Sequence, residues 1–245
     1  MNERRLLLLS NSRNPDGAFL EHARDAIRTH LSGVTRVLFV PFAGVTISLD
    51  DYAALVNNAF GGMGVQSESV HQHPSKMDAV RNAQAIVVGG GNTFRLLERL
   101  QHFQLLGAIR ERVRRGVPYL GWSAGSVLAG PTIGTTNDMP IVAPAGLEAL
   151  GLVDFQINAH FTDAHPPGFR GETRRERLAE YLVLNPGARV VGLPEGSWLR
   201  VAGAEIMLAG PHAAPCFSTA GERVLQPGSP VHTTLEPAGR PQLRF

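Results

Sequence analysis

Apolar residues along this chain fall into short, β-rich runs separated by longer stretches with helical spacing. The runs at 6–9, 37–40, 65–70, 85–88, 117–120 and 155–157 are the strand candidates. Between them, 50–60 reads as a helix opened by the capping signal Ser48-x-x-Asp51. A second helix is predicted over 93–115, closed by Gly116 and Pro118. Strand and helix in alternation predict βαβ units and an α/β fold, a doubly wound and mostly parallel sheet with both faces covered. After Ala188 the helical spacing stops. Runs at 190–193, 198–201, 205–208 and 216–218, with Gly and Pro between them, predict antiparallel hairpins at the sheet edge. No stretch reads as a linker, so 1–245 is expected to be one domain, with about 226–245 a loosely held C-terminal tail.

Composition narrows the class without naming the chemistry. Apolar content of 43% and charged content of 18% fit an ordinary globular chain. The 23 Lys and Arg against 21 Asp and Glu leave a small basic excess, and the basic stretches at 110–115 and 174–177 carry interleaved glutamates. That is the look of a solvated helix face, and it predicts no nucleic-acid partner. A single cysteine, Cys216, excludes an intrachain disulfide framework and fits a reducing compartment. The leucines after Arg4-Arg5 stop at Ser10-Asn11-Ser12, too soon for a signal peptide. No apolar run approaches the ~20 residues of a membrane span, so the expectation is a soluble, cytoplasmic protein with no membrane contact.

One motif carries chemistry in its required context. Residues 117–127 read V-P-Y-L-G-W-S-A-G-S-V, a short strand running into Gly121-Trp122-Ser123-Ala124-Gly125 and then into helix-compatible residues. The glycines of G-x-S-x-G allow a sharp strand-to-helix turn that lifts the serine hydroxyl above the sheet, so Ser123 is the candidate nucleophile. A serine needs a base and an orienting acid. His160 ends the strand-like segment before Asn158-Ala159-His160-Phe161-Thr162-Asp163, which places it on the same rim. Two loop carboxylates, Asp138 and Glu195, compete for the acid role. Asp138 lies between Ser123 and His160 in sequence, and either carboxylate could orient the imidazole.

A second loop, Gly89-Gly90-Gly91-Asn92-Thr93-Phe94, follows the strand at 85–88. Phe94 stands where a dinucleotide fingerprint needs glycine. The loop is read as an oxyanion hole, with a backbone N–H from Gly90 or Gly91 joining that of Ala124. A zinc site of His160, Asp163 and His165 matches no familiar ligand spacing, so no metal and no cofactor are expected.

These segments, with Thr135-Thr136-Asn137-Asp138-Met139-Pro140 and Gly171-Glu172-Thr173-Arg174, resemble in order and spacing the peptidase E family of serine peptidases, the α-aspartyl dipeptidases. The similarity reaches to about Gly210. The chain departs from the family pattern at Ala159, where proline is usual. The resemblance implies a sheet like that of class I glutamine amidotransferases and hydrolysis of Asp-Xaa dipeptides. It also implies a homodimer. Position by position, it implies Ser123 as nucleophile, His160 as base and Asp138 as acid, with Glu195 as the alternative. Arg174 suits the substrate's aspartate, since a guanidinium grips a carboxylate through paired hydrogen bonds. Asn92, beside the glycine loop, is the second candidate for substrate contact. The rival readings are a cyanophycinase-like peptidase or esterase of the same fold, and a relative that binds aspartyl peptides without turnover.

Overall fold

Leu6 to Leu9 alternate between two separate apolar cores. In the computed structural model, which describes residues 4–168 and 170–231, Leu6 and Leu8 of strand β1 (Arg5–Leu9) join one cluster, and Leu7 and Leu9 the other. Successive side chains of a strand point to opposite faces. The same division runs through β2 (Arg36–Val40), β4 (Ile86–Val88) and β5 (Tyr119–Trp122). The first core is covered by helices α3 (Lys76–Asn82), α4 (Thr93–His102) and α5 (Leu105–Arg114). The second is covered by α1 (Arg24–His30) and α2 (Leu49–Gly61), whose cap Ser48 accepts the Asp51 N–H at 3.0 Å. The fold is therefore α/β and doubly wound. With β3 (Gln66–Ser69), β8 (Trp198–Ala202) and β9 (Glu205–Ala209), the main sheet has the order β3-β2-β4-β5-β1-β8-β9. Its first five strands are parallel, and β8 and β9 are antiparallel at the edge.

The structure corrects the sequence reading in three places. A straight helix over 93–115 would run about 34 Å at ~1.5 Å per residue, far beyond the short strands it covers. The chain instead breaks after α4, where Gln104 takes a left-handed φ of 57° and turns Leu105 into the core. Second, the strand expected at 155–157 extends to Phe161 as β6 (Gln156–Phe161) and leaves the main sheet. It pairs in parallel with β7 (Val190–Pro194) in a second sheet of order β11-β10-β7-β6, with β10 (Ala214–Ser218) and β11 (Gly221–Leu225). Helix α7 (Arg174–Leu184) packs on this sheet through Leu178 and Leu182 against Phe161, Val190 and Phe217. Only β8 and β9 of the expected edge hairpins belong to the main sheet. Third, the predicted tail starts too early. Gly228 donates to the Leu208 carbonyl at 2.8 Å, Pro230 bridges Met207, and Val231 is buried. Residues 232–245, the rest of that segment, lie outside the described residues.

The two sheets meet at Ser10, directly after β1. Its N–H donates to the Ser197 carbonyl at 3.0 Å, and its hydroxyl donates to the Leu193 carbonyl at 2.7 Å. This junction brings the ends of β1, β5, β6 and β7 to one rim.

Close packing at that rim depends on glycine. A Cβ on Gly125 would lie 2.2 Å from the Val88 carbonyl oxygen, and one on Gly121 would lie 2.5 Å from the Gly125 carbonyl oxygen. The backbone cannot retreat, because the Gly125 carbonyl accepts the Tyr119 hydroxyl at 2.6 Å. Gly125→Ala is expected to cost about 3 kcal/mol or more through overpacking. Urea unfolding midpoints would measure it, and an unchanged midpoint would refute the close-approach argument.

Candidate active site

Strand β5 ends at Trp122 and the short helix α6 (Ala124–Val127) begins at Ala124, which leaves Ser123 at the turn with φ 51° and ψ −116°. A side-chain-bearing residue rarely holds such a backbone conformation, and it persists here because its neighbours fix it. The Ser123 N–H donates to the Leu9 carbonyl, while the buried Ser126 hydroxyl is bonded to the Leu9 and Gly121 carbonyls. The elbow expected from sequence is thus formed, with the Ser123 hydroxyl at the rim.

His160 reaches that hydroxyl by leaving its own ladder. In the β6–β7 pairing Ala159 faces Leu193 and Phe161 faces Pro194, so His160 is the extra residue of a bulge, with φ 54°. A bulge re-aims one side chain and is stabilised only by outside partners. Here the Ser10 hydroxyl accepts the His160 N–H at 2.9 Å. The imidazole Nε2 then lies 2.8 Å from Ser123 Oγ, and Nδ1 lies 2.6 Å from Glu195 Oε1. A carboxylate at Nδ1 places the ring proton there and leaves Nε2 to accept from the serine. Glu195 sits in the turn after β7, which is steadied by the Asn11 side chain accepting the Gly196 N–H at 2.8 Å. His160 and Glu195 keep 37% and 50% of their side chains exposed, so a ligand must itself displace water from this pair.

Asp138, favoured in sequence as the acid, does not bond to His160. Its carboxylate accepts the Thr93 N–H at 2.7 Å and the hydroxyls of Thr93 and Thr136. An anion at a helix N-terminus is stabilised by the free N–H groups there, and Asp138 serves the start of α4. The physical reason for this placement lies next to it in sequence. Asn137 donates to the Ala159 carbonyl at 2.8 Å and holds the segment along β6, which turns Asp138 toward the glycine loop.

That loop lies against the serine. A Cβ on Gly90 would fall 3.0 Å from Ser123 Cβ, and one on Gly91, at φ 134°, would fall 2.2 Å from the Ala43 carbonyl oxygen. Among the described residues, no backbone hydrogen bond uses the N–H of Gly90, Gly91 or Ala124. Asn92 is otherwise engaged. Its Oδ1 caps α4 by accepting the Arg95 N–H at 3.0 Å, and its Nδ2 donates to the Met139 carbonyl at 2.8 Å.

Arg174 begins α7 behind the capping box of Thr173 and Glu176. Its guanidinium donates to the His160 carbonyl and, at 3.4 Å, to that of Ala159. Burial draws its pKa below the ordinary arginine value, against the opposing charge of Glu195. The zinc alternative is not assembled. Asp163 pairs with Arg175 Nε at 2.7 Å, His160 is held by Ser123 and Glu195, and the described residues contain no metal-holding cluster of His, Cys, Asp and Glu. Burial pushes the Cys216 thiol up to about 12, which keeps it protonated.

The Peptidase family S51 model matches residues 6–209. The chain belongs to peptidase family S51. Proteins named peptidase E from Salmonella arizonae and Escherichia coli O6:K15:H31 are 46% and 47% identical over 219 residues, covering 89% of this chain and 96% of each relative. Among solved structures, a peptidase from an acI-B1 actinobacterium superposes with TM-score 0.69 at 16% identity, over 94% of this chain and 98% of that one. A protein of Listeria monocytogenes superposes with TM-score 0.61 at 21% identity, over 85% and 99%. At these identities the structural neighbours speak for the fold alone. S51 membership makes the chain a serine peptidase.

The S51 site also depends on residues that the motifs did not single out. Ser10 holds the His160 backbone and Asn11 holds the turn of Glu195. Tyr52 donates to the Gly90 carbonyl at 3.1 Å while accepting the Trp122 indole N–H at 3.1 Å. Ser10 and Asn11 had one signal, two polar residues directly after the most apolar strand. Tyr52 had none, since it reads as an ordinary helix core position.

Proposed function

We propose that this S51 peptidase is a dipeptidase that removes N-terminal aspartate, with Ser123 as nucleophile, His160 as general base and Glu195 as the acid that orients it. The continuous hydrogen-bonded chain from Ser123 Oγ through His160 to Glu195 carries this reading. Ser123 attacks the carbonyl of the Asp-Xaa bond as His160 takes the hydroxyl proton at Nε2. Glu195 stabilises the imidazolium that forms. The oxyanion of the tetrahedral intermediate lies against the N–H groups of Ala124 and of Gly90 or Gly91, which have no other backbone acceptor among the described residues. His160 returns its proton to the departing amine, and water repeats the cycle on the aspartyl-enzyme.

Arg174 supports the aspartate preference. It is the half-buried cation that binds the carbonyl of His160 itself, and a guanidinium has five N–H donors, so it can serve both that carbonyl and a substrate carboxylate. Hydrolysis of Asp-Leu, Glu-Leu, Asn-Leu and Leu-Leu by the purified protein tests the proposal. Asp-Leu is expected to be cut and Leu-Leu not. Arg174→Met is expected to lower kcat/KM for Asp-Leu roughly 100-fold by removing a charge-paired contact. Because Arg174 also steadies His160, the decisive quantity is the ratio of Asp-Leu to Asn-Leu. A ratio that survives the substitution would show that Arg174 does not read the aspartate.

A further inference from the structure

We propose that Arg13 binds the free α-carboxylate of the leaving residue and thereby limits the length of peptide that the site accepts. The inference rests on the dipeptidase reading above and extends it to the far side of the scissile bond. Ser123, His160 and Gly90 open into a cavity of about 400 Å³ that is also walled by Arg13, Phe19 and Leu55. Its lining contains no carboxylate, and Arg13 is its one permanent cation. The guanidinium lies 5.8 Å from the centre of the Phe19 ring. Phe19 in turn packs edge-on against Trp122, the residue before the nucleophile, at 5.7 Å.

Arg13 is placed at the cavity's boundary and is not committed elsewhere. Arg13, Phe19 and Leu55 also line an adjoining hollow of about 410 Å³ that none of the three reacting residues reaches, so they form the partition between the two. Glu21 in that hollow pairs with Arg24 at 3.6 Å. Among the described residues no carboxylate forms a salt bridge with Arg13. Its backbone is nevertheless fixed to the reacting groups. The Asn11 side chain that accepts the Gly196 N–H beside Glu195 also donates to the Arg13 carbonyl at 2.6 Å.

A dipeptide carries the charge that a cation in this wall would pair with. Its terminal carboxylate lies one residue, ~3.6 Å of chain, beyond the carbonyl that Ser123 attacks. A guanidinium offers that carboxylate two parallel hydrogen bonds. A longer peptide presents a neutral amide at that point, which offers the guanidinium no charge to pair with.

The test compares Asp-Leu with Asp-Leu amide, and Asp-Glu with Asp-Gln, for the full chain and for Arg13→Met and Arg13→Lys. For the parent, kcat/KM is expected to favour Asp-Leu over its amide by about 10- to 100-fold, the range of a hydrogen bond to a charged group. Arg13→Met should bring that ratio within about threefold of unity through loss on the free acid, and Arg13→Lys should recover part of it. A parent that cuts acid and amide equally well overturns the role of Arg13 and leaves the dipeptidase reading standing. So does an Arg13→Met protein that slows both substrates alike. Loss of an Asp-Glu over Asp-Gln preference, with the acid-to-amide ratio unmoved, would assign Arg13 to an acidic side chain and overturn the proposal. A parent that cuts no dipeptide overturns the dipeptidase reading first.

Discussion

Ser123→Ala is expected to fold like the parent and to turn over peptide about 10⁶-fold more slowly, the loss seen when a serine nucleophile of a triad is removed. The substitution takes away one hydroxyl and leaves the elbow intact, because neither the Ser123 N–H bond to Leu9 nor the Ser126 hydroxyl bonds to Leu9 and Gly121 involve Oγ of residue 123. Alanine carries the same Cβ, so the strained φ of 51° is neither relieved nor worsened. Single-turnover and steady-state assays beside a thermal melt would separate chemistry from stability. Activity within about 100-fold of the parent, in protein free of contaminating peptidase, would show that Ser123 is not the nucleophile. The nearby Ser126 offers no substitute, since its hydroxyl is fully buried and committed to two carbonyls.

Glu195→Gln is expected to reduce kcat by about 10⁴-fold, whereas Asp138→Asn should change it by less than about tenfold. An amide in place of Glu195 can donate to Nδ1 of His160. That drives the proton to Nε2, where it faces the serine instead of accepting from it. Asp138 makes no bond to the imidazole. Its substitution instead weakens the bonds to Thr93, at an expected cost of about 1 kcal/mol at the start of α4. Turnover and urea midpoints of the two variants should therefore move in opposite orders. If Asp138→Asn were the slower enzyme, the assignment of Glu195 would fall.

Local signals made much of this site legible in the chain. The glycines around Ser123 and the triple glycine before Asn92 sit at turns that end strands, so their spacing is visible in sequence although the contacts that demand them reach Ala43, Val88 and Trp122. The burial of the central strands of the parallel sheet on both faces is equally local, as Leu6 to Leu9 show, and the capping signal at Ser48 is realised as written. The break between α4 and α5 was not legible, because helix periodicity continues through Phe103 and Gln104 while the limit on helix length comes from the sheet beneath. The partners of the Asn92 side chain were not legible either, since its bond to the Met139 carbonyl spans 47 residues while its Oδ1 caps α4.

The sequence by itself determined the α/β class, the elbow at Ser123, the glycine loop beside it and the candidacy of His160. Only the tertiary structure chose which carboxylate lies beside His160, with Glu195 Oε1 at 2.6 Å from Nδ1 and Asp138 bonded to Thr93 instead. Asp138 and Glu195 are both loop carboxylates on strand-linked segments, and nothing local separates them. The choice follows from β6 and β7 pairing in parallel in a second sheet, from the bulge that swings His160 out of that pairing, and from Ser10 joining the two sheets at the point where it bends. Those contacts link residues far apart in the chain. Their energies depend on register and on which strand lies next to which, and a one-dimensional pattern of polar and apolar residues does not record either.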